Sequence, residues 1–247
     1  MKWKGVNSIK DKLEKIHQRI SSAAIISGRS LQEIKLLLAT KTVSSENIRV
    51  ALEMGETLIG ENKVHEIKEK YEDLKLIPHS THFIGHLQTN KIKDVLTYVD
   101  CIQSVDRIDL VKKLDRRLQQ EGRSIDIMLQ VNTSYEESKF GVNPSAIIDF
   151  AKEVSTYSTL KVKGLMTIGL FSAEEAEVRK CFKLLKNIQT EIKALQLPNF
   201  ELNELSMGMS NDLEIAIEEG ATIIRVGTAI FGSRIYPDSY YWNENKT

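Results

Sequence analysis

Eight times along the chain, a short apolar run is followed by a stretch whose apolar residues recur three and four apart. This alternation constrains the fold more than any other feature. Spacing of three and four marks one face of a helix, and a short continuous apolar run suits a strand buried on both faces. Strands are predicted over 34–40, 57–61, 82–87, 101–105, 126–131, 162–168, 204–207 and 222–226. Ahead of them, Ile9, Leu13, Ile16 and Ile20 predict one extra N-terminal helix.

The intervening helices have readable faces and ends. Ser44 is placed to cap a helix that buries Ile48, Ala51 and Leu52 and stops at Gly55. The next carries Val64, Ile67, Tyr71 and Leu74 on one face. Asn143-Pro144 reads as a cap with proline in the first turn, and Ser172 with Glu175 has capping-box spacing. Strand–helix alternation of this kind predicts an α/β fold, a closed parallel (β/α)8 barrel. An open doubly wound sheet is the alternative, because strand number alone does not establish closure. With four prolines and no Ser/Gly-rich linker, residues 1–247 are expected to form one domain.

Charge and cysteine usage narrow the function classes. Lysine plus arginine and aspartate plus glutamate number 34 each, so there is no basic excess to suggest nucleic acid or a membrane surface as partner. No apolar run is long enough for a signal peptide, an anchor or a membrane span. Cys101 and Cys181 stand far apart, which disfavours a disulfide framework or a zinc cluster and fits a reducing, cytoplasmic setting.

In a barrel, chemistry collects where strands end. Lys41 follows the first strand, where burial would favour the neutral amine needed for a Schiff base; the alternative is a lysine opening a solvated loop. After the seventh strand, the small residues of Ser206-Met207-Gly208-Met209-Ser210 precede a helix, so they suit either an anion site or a plain Ser210 cap. After the eighth, Gly227 would let an anion approach the backbone and Thr228 adds a hydroxyl; Gly227 and Gly232 could equally serve tight turns. Arg225 interrupts an apolar strand, so it is expected to point at the mouth and meet a ligand or an acid. Asn62 closes the second strand and can reach the same mouth. His82 and His86 would share a strand face, but no carboxylate cluster accompanies them, and no metal is expected.

Taken in order, the stretches ATKT around Lys41, IGENKVHE from Ile59, HFIGHLQTNK from His82, IQSVD from Ile102 and VNTSYEESKFG from Val131 resemble one family. KGLMTIG from Lys163, LSMGMSNDLEIAIEEGAT from Leu205 and RVGTAIFG from Arg225 extend the match over about residues 35 to 235. The family is the YggS/PROSC family of pyridoxal phosphate homeostasis proteins. The resemblance implies a barrel similar to the N-terminal domain of alanine racemase. It implies pyridoxal 5′-phosphate (PLP) as cofactor, held as a Schiff base on Lys41. Arg225 would approach the pyridine nitrogen, Ser206, Met207, Ser210, Gly227 and Thr228 would hold the phosphate, and Asn62 would line the pocket. Arginine accepts no proton, so the ring nitrogen would stay neutral and carbanion chemistry would be weakened.

A racemase of this type adds a second, mostly β domain carrying a tyrosine base. Here the sequence ends 15 residues after Gly232 in the polar tail SRIYPDSYYWNENKT, with Tyr236, Tyr240 and Tyr241 in it. The expectation is therefore a monomeric PLP carrier that serves PLP-dependent apoenzymes. A small racemase-like enzyme of low activity is the alternative.

Overall fold

The computed structural model describes residues 2–170, 172 and 174–232, so Tyr236, Tyr240 and Tyr241 lie outside the described residues. The strands are β1 (Lys35–Ala39), β2 (Leu58–Glu61), β3 (Ser80–Phe83), β4 (Cys101–Val105), β5 (Ile125–Gln130), β6 (Leu160–Met166), β7 (Phe200–Ser206) and β8 (Ile223–Val226). Helix α1 (Lys2–Ile26) precedes them, and α2 (Ser45–Glu53), α3 (Val64–Leu74), α4 (Ile92–Tyr98) and α5 (Ile108–Glu121) follow β1 to β4. Helices α6 (Ile147–Val154), α7 (Glu175–Ala194), α8 (Leu213–Glu218) and α9 (Thr228–Phe231) follow β5 to β8.

The strands form a closed barrel in chain order. Closure is made by β8 pairing parallel to β1, with Leu37 beside Arg225 and Leu38 beside Val226. This rules out the open-sheet alternative.

Two apolar layers hold the structure. Inside the barrel, Leu37, Leu58, Cys101, Met128, Met166 and Ile223 pack together. Between strands and helices runs the larger core, to which α1 contributes Ile9, Leu13, Ile16 and Ile20. Arg19 fixes α1 to α8 by donating to both carboxylate oxygens of Glu214 at 2.6 and 2.8 Å, and it also donates to the Ser210 carbonyl at 2.8 Å. No helix among the described residues is long and apolar enough to cross a membrane.

The helix ends follow local chemistry. Ser44 caps α2 by accepting from the Asn47 amide, and Asn143 accepts from the Ser145 amide at the short 3-10 turn before α6. Gly122 ends α5 at φ +63°, a conformation open to glycine.

Four sequence expectations need correction. Ser172 does not cap α7: the helix begins after Glu174, and the Ser172 hydroxyl accepts from the Glu174 amide in a local turn. Tyr71 lies outside the buried stripe of α3, edge-on to Tyr98 at 4.9 Å, and Glu66 is buried on that helix instead. Strand β3 ends at Phe83, because the chain bends at Gly85 to cross the backbone of Asn62. Strand β7 begins at Phe200, where alternating exposed glutamates and asparagine hid a strand from a search for continuous apolar runs.

Candidate functional site

Above the apolar layer inside the barrel sits a polar one, built from β3, β4, β7 and β8. Arg225 is 6% exposed and donates to the Ser206 hydroxyl at 2.7 Å and to the Thr167 carbonyl at 2.7 Å. Arginine can only donate, so Ser206 turns its own hydrogen to Gln103 Oε1, 2.6 Å away. The Gln103 amide nitrogen then meets His82 Nδ1 at 2.7 Å, which leaves the histidine proton on Nε2. Burial pushes the Arg225 guanidinium down to about 10 and the His82 imidazole down to about 4. His82 is therefore neutral at pH 7.

This sets a pH dependence. As pH falls, the unfolded chain protonates His82 near 6.5, before the folded protein does near 4. The contribution is complete above pH 6.5 and is lost as pH falls towards 4, amounting to about 3 kcal/mol for such a shift. In His82→Gln, whose carbonyl still accepts from Gln103, urea unfolding between these pH values should show a shallower acid limb than wild type. Identical limbs would contradict a His82 held neutral in the folded protein.

At the carboxyl ends of the strands, each predicted residue has a definite place. Lys41 is half-buried in the turn after β1. Asn62 follows β2, and its Oδ1 is buried with no hydrogen-bond partner among the described residues. Ser206 is fully buried and already bonded to Arg225 and Gln103. Met207 is also fully buried, with its amide bonded to the Ile223 carbonyl. Ser210 does not cap α8; Asp212 takes that position, and its Oδ1 accepts from the Met209 amide at 2.6 Å.

The hydroxyls of Ser210 and Thr228 lie 3.5 Å apart, so the loops after β7 and β8 converge. Gly227 is required by crowding: a Cβ there would fall 2.8 Å from the Ala39 carbonyl oxygen. Gly208 is required by its φ of +89°. Among the described residues no acid pairs directly with Arg225, whose hydrogen bonds go to Ser206 and Thr167, although Asp212 exerts a weaker charge effect on it.

The two histidines part company. His82 joins the interior layer, whereas His86 lies past the strand, stacked on Phe140 at 3.8 Å. Among the described residues, no group of three or more His, Cys, Asp or Glu side chains could hold a metal ion.

Sequence reading did not single out Glu61, Glu66, Lys70 or Gln103. Glu61 is 1% exposed at the end of β2, and burial pushes its carboxyl up to about 7 despite the neighbouring Lys70. Thr40 and Lys70 both donate to its Oε1, at 2.6 and 2.8 Å, and its Oε2 is buried without a partner among the described residues. Glu66 Oε2 accepts from the Thr42 amide at 2.6 Å. Thr42 has φ +64°, an outlier for a β-branched residue that carries about 1–3 kcal/mol of strain. The available signals were an acid ending a buried strand, an i,i+4 Glu66–Lys70 pair on the inner face of α3, and a glutamine inside a fully buried β4.

The strand ends gather groups that can hydrogen-bond a small polar ligand. Arg225 offers buried N–H groups beyond its two hydrogen bonds, Asn62 Oδ1 lacks a partner among the described residues, and Ser210 and Thr228 present paired hydroxyls beside a glycine backbone.

Comparison with known proteins places the fold. Residues 16–235 match the family model of the alanine racemase N-terminal domain. A pyridoxal phosphate homeostasis protein of Aquifex aeolicus is 40% identical over 226 residues, covering 92% of this chain and 98% of the relative. A crystal structure of an unknown protein from Bifidobacterium adolescentis superposes with a TM-score of 0.89 at 39% identity, covering 92% of this chain and 96% of that one. PipY of Synechococcus elongatus, solved with PLP bound, has a TM-score of 0.77 at 33% identity, covering 88% of this chain and all of its own. On this extent of identity, and on a barrel shared with the alanine racemase N-terminal domain, the chain belongs to the family of pyridoxal phosphate homeostasis proteins.

Proposed function

We propose that this protein binds PLP, holds it reversibly as a Schiff base on Lys41, and serves PLP homeostasis as a monomeric cytoplasmic carrier. In this role it buffers free cofactor and hands it to PLP-dependent apoenzymes. The observation that carries the reading is the buried Arg225 beneath a mouth ringed by Lys41, Asn62, Ser210 and Thr228, in a barrel similar to that of PLP-bound PipY. The two buried free cysteines are in keeping with a reducing compartment.

Bound PLP supplies an aldehyde that a lysine amine captures reversibly. The chain's own residues set how it is held. Arg225 would offer the pyridine ring donors and no proton acceptor. Ser206 keeps the guanidinium in place from below. Ser210, Thr228 and the backbone at Gly227 would hold the phosphate, while the Ile230 and Phe231 amides of α9 are already bonded to the Gly227 carbonyl. Met207 contributes by packing, since its side chain is buried and its amide is engaged. Asn62 offers its unpartnered oxygen to a donor on the ligand.

Incubation with PLP followed by desalting should leave a chromophore in stoichiometric amount, transferable to a PLP-requiring apoenzyme. A chain that retains no chromophore and takes none up on addition would overturn the proposal.

A further inference from the structure

The motif Gly60-Glu61-Asn62-Lys63-Val64-His65-Glu66 holds more charge than the cofactor reading uses, since only Asn62 has a role there. Its two carboxylates meet Lys70 under the turn that presents Lys41. Lys70 Nζ donates to the Thr40 carbonyl at 2.9 Å, to Glu61 at 2.8 Å and to Glu66 at 3.0 Å. The residue before Lys41 is tied to this cluster through its hydroxyl and carbonyl, and the residue after it through its amide. Buried ion pairs add little net stability, because desolvation offsets their attraction; a specific arrangement is their better-attested use. Thr42 would relax from its positive φ unless something held its amide. Both facts point to a cluster that specifies a backbone shape.

We propose that Glu66, backed by Lys70 and Glu61, is a positioning residue for the Lys41 amine, acting as a latch on the 40–42 turn. The proposal rests on Lys41 being the cofactor lysine. In the step it serves, the amine nitrogen bonds the aldehyde carbon of PLP, and the aldehyde oxygen leaves as water with the two amine hydrogens. A displaced turn withdraws the amine from that carbon and leaves the phosphate and ring contacts intact.

Two ligands separate these effects. PLP reports capture by Lys41, followed by absorbance and borohydride fixation. Pyridoxamine 5′-phosphate carries no aldehyde and reports the noncovalent contacts alone. In Glu66→Ala, capture of PLP should slow by about tenfold or more, with pyridoxamine phosphate affinity unchanged. Adding Thr42→Gly to that variant should restore capture, because glycine holds a positive φ without a latch. Capture at the wild-type rate, failure of the glycine rescue, or joint loss of pyridoxamine phosphate binding would each overturn the latch. If Glu66→Ala does not fold, Lys70→Met is read with the same ligands, and the same split is expected; an unchanged capture rate overturns the proposal. A borohydride-fixed adduct in Lys41→Ala would overturn the Lys41 assignment itself, and the latch with it.

Discussion

Lys41→Ala should lose the whole borohydride-fixed adduct while keeping its fold and a noncovalent hold on PLP. Lys41 lies in the turn after β1, outside the apolar core, so truncation there leaves no large cavity. The ring and phosphate contacts proposed for Arg225, Ser210 and Thr228 are untouched by the substitution. The measurement is intact mass after borohydride, alongside the absorbance spectrum. Wild type should show one covalent cofactor increment and the variant none. An increment of equal size in the variant would place the attachment on another lysine.

Gly85→Ala should produce the second large effect, through sterics alone. A Cβ at Gly85 would fall 2.7 Å from the Asn62 Cα and closer still to its carbonyl oxygen. Both neighbours are backbone, so neither can swing aside as a flexible side chain would. Overpacking of this kind costs about 1–3 kcal/mol, and the strain falls on the segment carrying Asn62. The urea midpoint should drop with an unchanged m value, and PLP affinity should fall with it. Gly122→Ala is the useful contrast. Its site is open, and the strain comes only from φ +63°, so stability should drop with no effect on the ligand. Equal loss of PLP binding in both variants would show that general destabilisation, and not displacement of Asn62, is responsible.

How much was legible in the sequence depends on whether a signal is local. The barrel was readable because strand and helix periodicities are local patterns repeated eight times. Arg225 stood out because a charge inside an apolar strand is anomalous wherever the chain goes. The loops after β7 and β8 drew attention through their small residues and glycines, and their convergence at Ser210 and Thr228 follows from the fold. Strand β3 was misplaced because Ile84 and Leu87 are apolar enough to continue it; the crossing at Asn62 that stops it involves a different strand. The Glu61–Lys70–Glu66 cluster escaped for a related reason. Spacing shows that Glu66 and Lys70 can pair, but only the packed structure brings them to the amide of Thr42, 24 residues from Glu66. Gln103 likewise looked like an ordinary polar residue until Ser206, 103 positions away, gave it a partner.

The row from Arg225 through Ser206 and Gln103 to His82 has one further property. Its first member cannot accept a hydrogen and its last is held neutral, so the hydrogens along it have a single permitted order. Such a row cannot pass a proton and then reset, as a water wire does. It behaves instead as a frozen line of dipoles crossing the barrel above its apolar layer. The ordering entropy of that row is settled while the chain folds, so a ligand arriving at Arg225 would meet a fixed electrostatic surface.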